Sequence, residues 1–149
     1  DTVSKAYAST ISGLIGKFHT AKPNLMETEV LSGMTIRNKT DLYKAADKIL
    51  DKGLKRIFVS LGADGCLYMD RDGNRIERKL RPVENMVNAT GAGDAFTAAL
   101  IYSYVNGFDI DKTIDYALAA GVAAVSHERT INPNMSVSLL EKILKERRI

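Results

Sequence analysis

The sequence has little of what builds a disulfide framework or a metal cluster. It contains a single cysteine, Cys66, which cannot form a disulfide within the chain. The two histidines do not combine with that cysteine at a spacing that zinc sites use. A disulfide scaffold and a Cys/His zinc domain are therefore excluded, and the shortage of cysteine predicts a cytoplasmic protein in a reducing environment.

Long apolar runs and charge of one sign are also missing. The longest apolar candidate, residues 117–125, is short and rich in small residues, so the sequence predicts no membrane span and no membrane partner. The start has no charged stretch followed by an apolar one, as a signal peptide has. Lys and Arg total 21 against 18 Asp and Glu, and they are scattered among the acids, so nucleic acid is not an expected partner.

The composition that remains is that of a globular domain. With 149 residues, of which 45% are hydrophobic, the chain can bury one core, and no repeat or linker divides it. Segments with strand patterns alternate with segments of helical periodicity, which predicts an α/β fold with a mostly parallel sheet, helices on both faces and a hairpin. Helices are predicted over residues 3–17, 26–31, 41–52, 91–105, 111–126 and from 136 onward, and strands over 18–21, 56–61, 66–70, 75–80 and 83–87.

Three loops follow predicted strands and carry turn residues. They span residues 23–24, 62–65 and 91–94. In sheets of this kind ligands bind beyond the carboxyl ends of the strands, so we expect the three loops to converge on one site.

The segment Thr90-Gly91-Ala92-Gly93-Asp94 joins a glycine turn to a helix start. Two glycines let backbone N–H groups converge, and the dipole of the helix that begins there adds positive potential, so an anion is expected at this point. A carboxylate beside an anion site is electrostatically unfavourable. Asp94 is therefore either a simple helix-start acid or a base that acts on a substrate hydroxyl. The second interpretation predicts a kinase.

Three motifs together resemble the ribokinase-like, or PfkB, family of carbohydrate and nucleoside kinases. Residues 90–96 resemble the family's C-terminal signature, residues 24–27 resemble its N-x-x-E motif, and residues 60–65 resemble its nucleotide-contacting strand and turn. The motifs occur in the family's order and spacing. Residues 88–90, with the tail at 126–136, resemble the pseudouridine kinase branch of the family.

The resemblance implies a ribokinase-like three-layer sandwich and a role for the glycine segment. In the family, the aspartate that matches Asp94 removes the proton from the acceptor hydroxyl of a small sugar or nucleoside. The amides of Gly91, Ala92 and Gly93 would then form the anion hole for the γ-phosphoryl group. This implied role agrees with the interpretation of the residues themselves.

ATP and Mg²⁺ are the cofactors that the resemblance implies. Glu27 and Asn24 would tune Mg²⁺ and phosphate through water. The residues expected to contact the nucleotide are Asn24, Ser60, Gly62, Gly65, Leu118 and Ala120. The last two lie on an alanine-rich helix that would wall the adenine pocket.

Asn88 marks a departure from the family pattern. Many members carry an acid at this position, which belongs to a monovalent-cation site beside the anion hole. Asn88 and Thr90 are thus the candidate ligands for K⁺, and because an amide oxygen can still coordinate a cation, dependence on potassium stays open.

Length is the larger departure, because complete members of the family are much longer. The resemblance therefore implies that residues 1–149 form a single partial domain, the C-terminal nucleotide-binding and catalytic half, without the N-terminal half and lid. Such a cut exposes a sheet edge that invites pairing with another chain. For the full-length protein a homodimer is the candidate assembly, and the sequence does not decide its oligomeric state. Alone, the chain is expected to bind nucleotide poorly and to catalyse nothing measurable.

Two functions of different class remain open. The first is ATP-dependent phosphorylation of a sugar or nucleoside hydroxyl, with Asp94 as the base. The alternative is a non-catalytic nucleotide-binding or anion-binding module that uses the same helix start without turnover. A dinucleotide-binding oxidoreductase is disfavoured, because the glycine segment lacks the third glycine of that fingerprint and no ribose-binding acid follows at the usual distance.

Overall fold

The computed structural model describes residues 4–83 and 86–149, and these contain six α-helices and four strands. The helices are α1 (Lys5–Ile11), α2 (Leu25–Ser32), α3 (Lys39–Asp51), α4 (Ala92–Val105), α5 (Ile110–Val125) and α6 (Val137–Arg147), and the strands are β1 (Thr20–Ala21), β2 (Arg56–Ser60), β3 (Cys66–Asp70) and β4 (Arg75–Arg78). Residues 4–62 and 66–77 form one compact unit, called here the sheet unit. Residues 63–65, 78–83 and 86–149 form the second, called the helical unit.

The sheet has the strand order β1-β2-β3-β4. β1 runs parallel to β2, with Thr20 opposite Arg56, whereas β2 runs antiparallel to β3, with Ser60 opposite Cys66. The predicted α/β class and the hairpin strands are confirmed. The sheet in the described residues is mixed instead of mostly parallel, because the short connection from β2 to β3 allows only an antiparallel return.

The core of the sheet unit lies between the sheet and its helices. Ile57 and Val59 of β2 join Leu67 of β3 in one cluster with residues of α2 and α3. The apolar residues of α3, which recur at helical spacing in the sequence, are all buried: Leu42, Ala45, Ala46, Ile49 and Leu50. Cys66 is buried as well, and burial raises the pKa of its thiol to about 12, so it packs as a neutral side chain.

The first predicted helix, over residues 3–17, is broken. Residue 3 lies outside the described range, α1 ends at Ile11, and a short 3-10 turn, Ile15–Lys17, follows. Glycine disfavours helix, and a Cβ at Gly16 would lie 1.8 Å from the carbonyl oxygen of Lys52. The chain thus bends, and the backbone of Gly16 packs directly against the backbone at the end of α3. The periodicity of the local sequence does not predict this contact.

Two helix starts differ from their predicted positions because another side chain provides the cap. Asn38 caps α3, so this helix begins before Asp41. Asp109 caps α5 by accepting a hydrogen bond from the amide of Lys112 at 2.7 Å. Asp111, where the sequence predicts this helix to begin, lies in the first turn and pairs with Arg78 instead. Both acids satisfy the local rule for a helix start, so the sequence alone does not choose between them.

In the helical unit, α5 packs against both α4 and α6. The side of α5 toward its neighbours is rich in alanine, including the buried Ala117, Ala119 and Ala123, and small side chains let helices approach closely. The hairpin strand predicted to reach residue 80 ends at Arg78. The strand predicted over residues 83–87 includes residues 84 and 85, which lie outside the described residues. No helix within the described parts of the chain is long and apolar enough to cross a bilayer.

Asp115 of α5 joins two arginines within the helical unit. Its Oδ1 accepts from Arg78 at 2.9 Å and its Oδ2 from Arg148 at 3.0 Å, while only 7% of its side chain is exposed. Because Arg78 ends β4 and Arg148 follows α6, this carboxylate ties two distant segments to α5.

Replacing Asp115 with asparagine is expected to lower the free energy of unfolding by about 1.5 to 3 kcal/mol, because the buried carboxylate loses its charge-assisted bonds to Arg78 and Arg148. The loss is limited because Arg78 keeps its pair with Asp111 and the Arg148 side chain is 62% exposed.

Asp47→Asn is the matched control. The ion pair of Asp47 with Arg75 is 2.9 Å long but its side chains are 43% and 52% exposed, so its loss should cost less than about 1 kcal/mol. Denaturant unfolding of both variants measures the difference, and equal losses would contradict the account.

Candidate active site

The glycine turn, defined here as residues 88–91, leads directly into α4. Gly91 is the N-cap residue and adopts a left-handed conformation with φ of 87°. A Cβ at this position would lie 2.4 Å from the carbonyl oxygen of Thr130. Both facts require glycine at position 91, because other residues are strained at this φ and a side chain would collide with the neighbouring backbone.

The N-terminus of α4 lacks the side-chain cap that the other described α-helices have. Those helices are capped by Ser4, Asn24, Asn38, Asp109 and Ser136. In α4 the first helical bond runs from the amide of Ala95 to the carbonyl of Gly91 at 2.9 Å. Within the described residues, the amides of Ala92, Gly93 and Asp94 have no acceptor. These donors, with the positive end of the helix dipole, can bind an anion.

Asp94 is the third residue of α4 and its side chain is exposed. Among the described residues it has no hydrogen-bond or ion-pair partner, so its carboxylate is available to a ligand. Gly91, Ala92 and Gly93 are partly exposed, and the helix start is therefore open to a ligand as well. An open row of amides beside an unengaged carboxylate can bind a phosphoryl group and accept a proton from a neighbouring hydroxyl.

Asn88 connects the glycine turn to the chain that follows α5. Its Oδ1 accepts a hydrogen bond from the amide of Thr90 at 2.9 Å, and its Nδ2 donates to the carbonyl of Glu128 at 3.0 Å. These bonds leave Asn88 one lone pair on Oδ1 to offer a monovalent cation. The role of Asn88 and Thr90 in potassium binding therefore stays a prediction.

Residues 126–135, called here the return loop, pass beside the glycine turn. Asn132 is 7% exposed and anchors this loop. Its Nδ2 donates to the carbonyl of Ala123 at 2.9 Å, and its Oδ1 accepts from the amide of Asn134 at 2.9 Å. Neither Asn132 nor Thr130 was predicted to be part of the site. The Asn132-Pro133-Asn134 run signals a turn, but it does not say which segment the turn supports.

In the sheet unit, Asn24, Glu27 and Ser60 lie together at the carboxyl ends of β1 and β2. Asn24 and Ser60 form a parallel bridge that extends the pairing of the two strands. Asn24 caps α2 by accepting from the amide of Glu27 at 2.9 Å, and Glu27 accepts from the amide of Asn24 at the same distance. The N-x-x-E pair is thus a capping box, which gives both residues a structural role.

The magnesium role predicted for Glu27 stays a prediction. One carboxylate oxygen is used by the cap, and the other, Oε1, has no partner among the described residues, but the residue is only 3% exposed. In the described parts of the chain, no three Asp, Glu, His or Cys residues group closely enough to hold a metal by themselves. Mg²⁺ keeps several waters and binds one or two carboxylates together with substrate phosphates, so a contact of Glu27 to the ion through water would need the Oε1 side of the carboxylate to be reached by that water.

The two glycines predicted to contact nucleotide differ in their surroundings. Gly62 has φ of 62° and no atom within 4 Å of a Cβ built on it, so the space beside it is open. Gly65 has φ of 90°, and a Cβ there would lie 2.1 Å from the carbonyl oxygen of Arg78. Close backbone packing explains glycine at position 65 without a ligand, whereas the open space at position 62 leaves room for one. Nucleotide contact stays a prediction for both.

On α5, Leu118 and Ala120 are both buried, with exposed fractions of 8% and 2%. Ala120 faces the interior, so packing within the helical unit accounts for its small size. Gly121 is partly exposed and has no atom within 4 Å of a Cβ position. A glycine inside a helix costs about 1 kcal/mol relative to alanine, so a glycine at position 121 of α5 is not explained by helix stability. The sequence shows this glycine within a predicted helix, but it was not predicted as a site residue. The adenine-wall role of Leu118 and Ala120 stays a prediction.

Comparison with known proteins places these features in a family. The model of the pfkB family of carbohydrate kinases matches residues 1–136. The chain is 34% identical over 139 residues to pseudouridine kinase of Escherichia coli (strain K12), and the match covers 93% of this chain and 44% of that protein. It is 32% identical over 140 residues to 1-phosphofructokinase of Haemophilus influenzae, with coverage of 93% and 44%.

Solved structures agree with the sequence relatives. A presumed sugar kinase from Clostridium perfringens superimposes with a TM-score of 0.93 at 39% identity, covering 99% of this chain and 46% of that one. Arabidopsis thaliana ribokinase, complexed with ribose and ATP, gives 0.81 at 28% identity, with coverage of 90% and 43%. The chain spans less than half the length of each of these proteins. Its fold is ribokinase-like, and the chain belongs to the pfkB family of carbohydrate kinases.

Proposed function

We propose that the protein carrying this chain transfers the γ-phosphoryl group of ATP to a hydroxyl of a sugar or nucleoside. The observation that carries the proposal is the uncapped start of α4, where unpartnered amides lie beside the exposed carboxylate of Asp94. A phosphoryl group satisfies the amides, and a hydroxyl that receives it must lose a proton. Membership of the pfkB family supports this assignment.

In the proposed reaction Asp94 takes the proton of the acceptor hydroxyl. The acceptor oxygen forms a bond to the γ-phosphorus while the bond from that phosphorus to the β-bridging oxygen breaks, and ADP leaves with the electron pair. The amides of Gly91, Ala92 and Gly93 donate to the oxygens of the moving group. Because backbone donors are already oriented, they stabilise its charge without reorganisation. Mg²⁺, when bound with ATP, neutralises phosphate charge, and Glu27 would hold it through water.

A nucleoside, pseudouridine, is the first acceptor to test. The support is the 34% identity to E. coli pseudouridine kinase and the likeness of residues 88–90 and of the return loop to that branch. Ribose is the second, since a structural neighbour is a ribokinase bound to ribose and ATP.

A substrate panel on the native protein tests the proposal. ADP release is measured with Mg²⁺ and ATP in the presence of pseudouridine, ribose or fructose 6-phosphate, and without an acceptor. We expect ADP release that depends on the acceptor and is fastest with pseudouridine. The alternative, a nucleotide-binding module without turnover, is favoured by the fact that no described residue orients Asp94, and it predicts ATP binding with no acceptor-dependent ADP release.

A further inference from the structure

We propose that Asn88 is a positioning residue that fixes the glycine turn against the return loop, so that the amides at the start of α4 meet the moving phosphoryl group. The inference rests on the proposed function, because the position of the turn matters for turnover only if the turn binds phosphate.

The glycine turn needs support from outside itself. Gly91 has left-handed backbone geometry and no side chain, and the carbonyl oxygen of Thr130 occupies the space that a Cβ would need. The amides that follow have no cap among the described residues. Where these donors point therefore depends on how the return loop is held relative to the turn. Displacements of about 1 Å in a site of this kind can lower turnover on the order of 100-fold.

Asn88 supplies bonds on both sides of the contact. Its side-chain oxygen accepts from the amide of Thr90, within the turn, and its side-chain nitrogen donates to the carbonyl of Glu128, in the return loop. Its own amide donates to the carbonyl of Val125, at the end of α5, at 3.3 Å. Asn88 thus bonds to the glycine turn, to the return loop and to the end of α5. These three segments together fix the position of Gly91.

The return loop is itself anchored, so its bond with Asn88 holds the glycine turn in one position. The buried side chain of Asn132 binds the carbonyl of Ala123 in α5 and the amide of Asn134 in the loop. Burial makes these bonds costly to break, because the amide group would be left unsatisfied. Asn88 therefore joins the glycine turn to a loop that is anchored on α5.

Many family members carry an acid at this position, but the two bonds seen in this chain require an amide, because one end must accept and the other must donate. An ionised aspartate keeps the acceptor for Thr90 but loses the donor, and it sets a carboxylate oxygen against the carbonyl of Glu128. Asn88→Asp therefore removes one bond with almost no change in side-chain size, while Asn88→Ala removes both.

The test compares these two variants with Asn106→Ala and Asn106→Asp in the native protein. Asn106 lies at the opposite end of α4, where its Nδ2 donates to the carbonyl of Tyr102 at 2.8 Å, so it is a matched asparagine away from the turn. Affinity is measured for ADP with Mg²⁺, and for ADP with Mg²⁺ and aluminium fluoride, which mimics the moving phosphoryl group. Turnover and the unfolding midpoint are measured alongside.

We expect both Asn88 variants to lose affinity for the fluoride complex by about 10-fold to 100-fold, to lose kcat by the same factor, and to bind ADP as before. The Asn106 variants should match wild type in all three. Asn88 variants that bind the fluoride complex like wild type, or that lose ADP affinity and unfolding midpoint alone, would overturn the inference while leaving the kinase proposal standing. A wild-type protein that releases no ADP and binds the fluoride complex no better than ADP would overturn both.

Discussion

Replacing Asp94 with asparagine is expected to lower kcat of the native protein by about 10²-fold to 10⁴-fold and to leave its affinity for ATP nearly unchanged. Asparagine has almost the same size as aspartate but cannot take the proton of the acceptor hydroxyl. The nucleotide should still bind, because its phosphates are held by backbone amides that the substitution does not alter. Acceptor-dependent ADP release gives kcat, and titration calorimetry gives the affinity for ATP.

Asp41→Asn is the matched control for this prediction. Asp41 is the third residue of α3, as Asp94 is the third residue of α4. Each acid interacts favourably with its helix dipole by about 0.3 to 1 kcal/mol. Asp41 also accepts from the amide of Arg37 at 3.1 Å, a bond that the asparagine oxygen can still accept, so both substitutions should cost a similar small amount of stability. Only the substitution of Asp94 should lower kcat, because only this carboxylate is proposed to take the proton of the acceptor hydroxyl. If Asp94→Asn turned over at the wild-type rate, Asp94 would be a helix-start acid and the non-catalytic alternative would be favoured.

The second large effect is expected for Gly91→Ala, which should reduce turnover on the order of 100-fold or more. Alanine at φ of 87° costs about 1 to 2 kcal/mol of backbone strain, and its Cβ would also lie 2.4 Å from the carbonyl oxygen of Thr130. The turn and the return loop must then move apart, which displaces the amides that follow. Turnover, and unfolding in denaturant, measure the two consequences.

Gly73→Ala separates strain from collision. Gly73 has φ of 88°, nearly that of Gly91, but no atom lies within 4 Å of a Cβ built on it. It should therefore lose about the same free energy to backbone strain and keep full turnover. If the two variants showed equal losses of stability and equal turnover, the contact between Gly91 and Thr130 would carry no weight in positioning the site.

Local signals in the sequence were sufficient for much of the helical framework. The start of α4 was predicted within one residue of its observed position, because a glycine turn followed by a first-turn acid is recognisable without tertiary information. The last helix, predicted from residue 136 onward, begins at Val137 with Ser136 as its cap, and the helix predicted over residues 41–52 is observed with its apolar residues buried. In each case the residues that decide the outcome lie within a few positions of one another.

What the sequence did not reveal depends on partners far along the chain. Asn88 and Glu128 are 40 positions apart, and Gly91 meets Thr130 over a similar separation. Nothing in the local pattern of either segment names the other. The break in the predicted first helix has the same origin, since the backbone of Gly16 packs against the backbone of Lys52, far along the chain.

Asn24 and Glu27 illustrate how a motif can have two physical explanations. The family motif was predicted to tune Mg²⁺ and phosphate, and the structure gives the same two residues a reciprocal capping box. The cap alone accounts for the residue types and their spacing. The free oxygen of Glu27 is compatible with both roles, so the magnesium role of this pair rests on the proposed function and not on its geometry.

The most direct test of the account is a structure of the native protein with ADP, Mg²⁺, aluminium fluoride and the acceptor identified by the substrate panel. The account predicts that fluoride ligands lie about 3 Å from the amide nitrogens of Ala92 and Gly93. It also predicts that a carboxylate oxygen of Asp94 lies about 3 Å from the acceptor hydroxyl. Fluoride bound away from the start of α4, or Asp94 facing bulk water while another group contacts the hydroxyl, would contradict it.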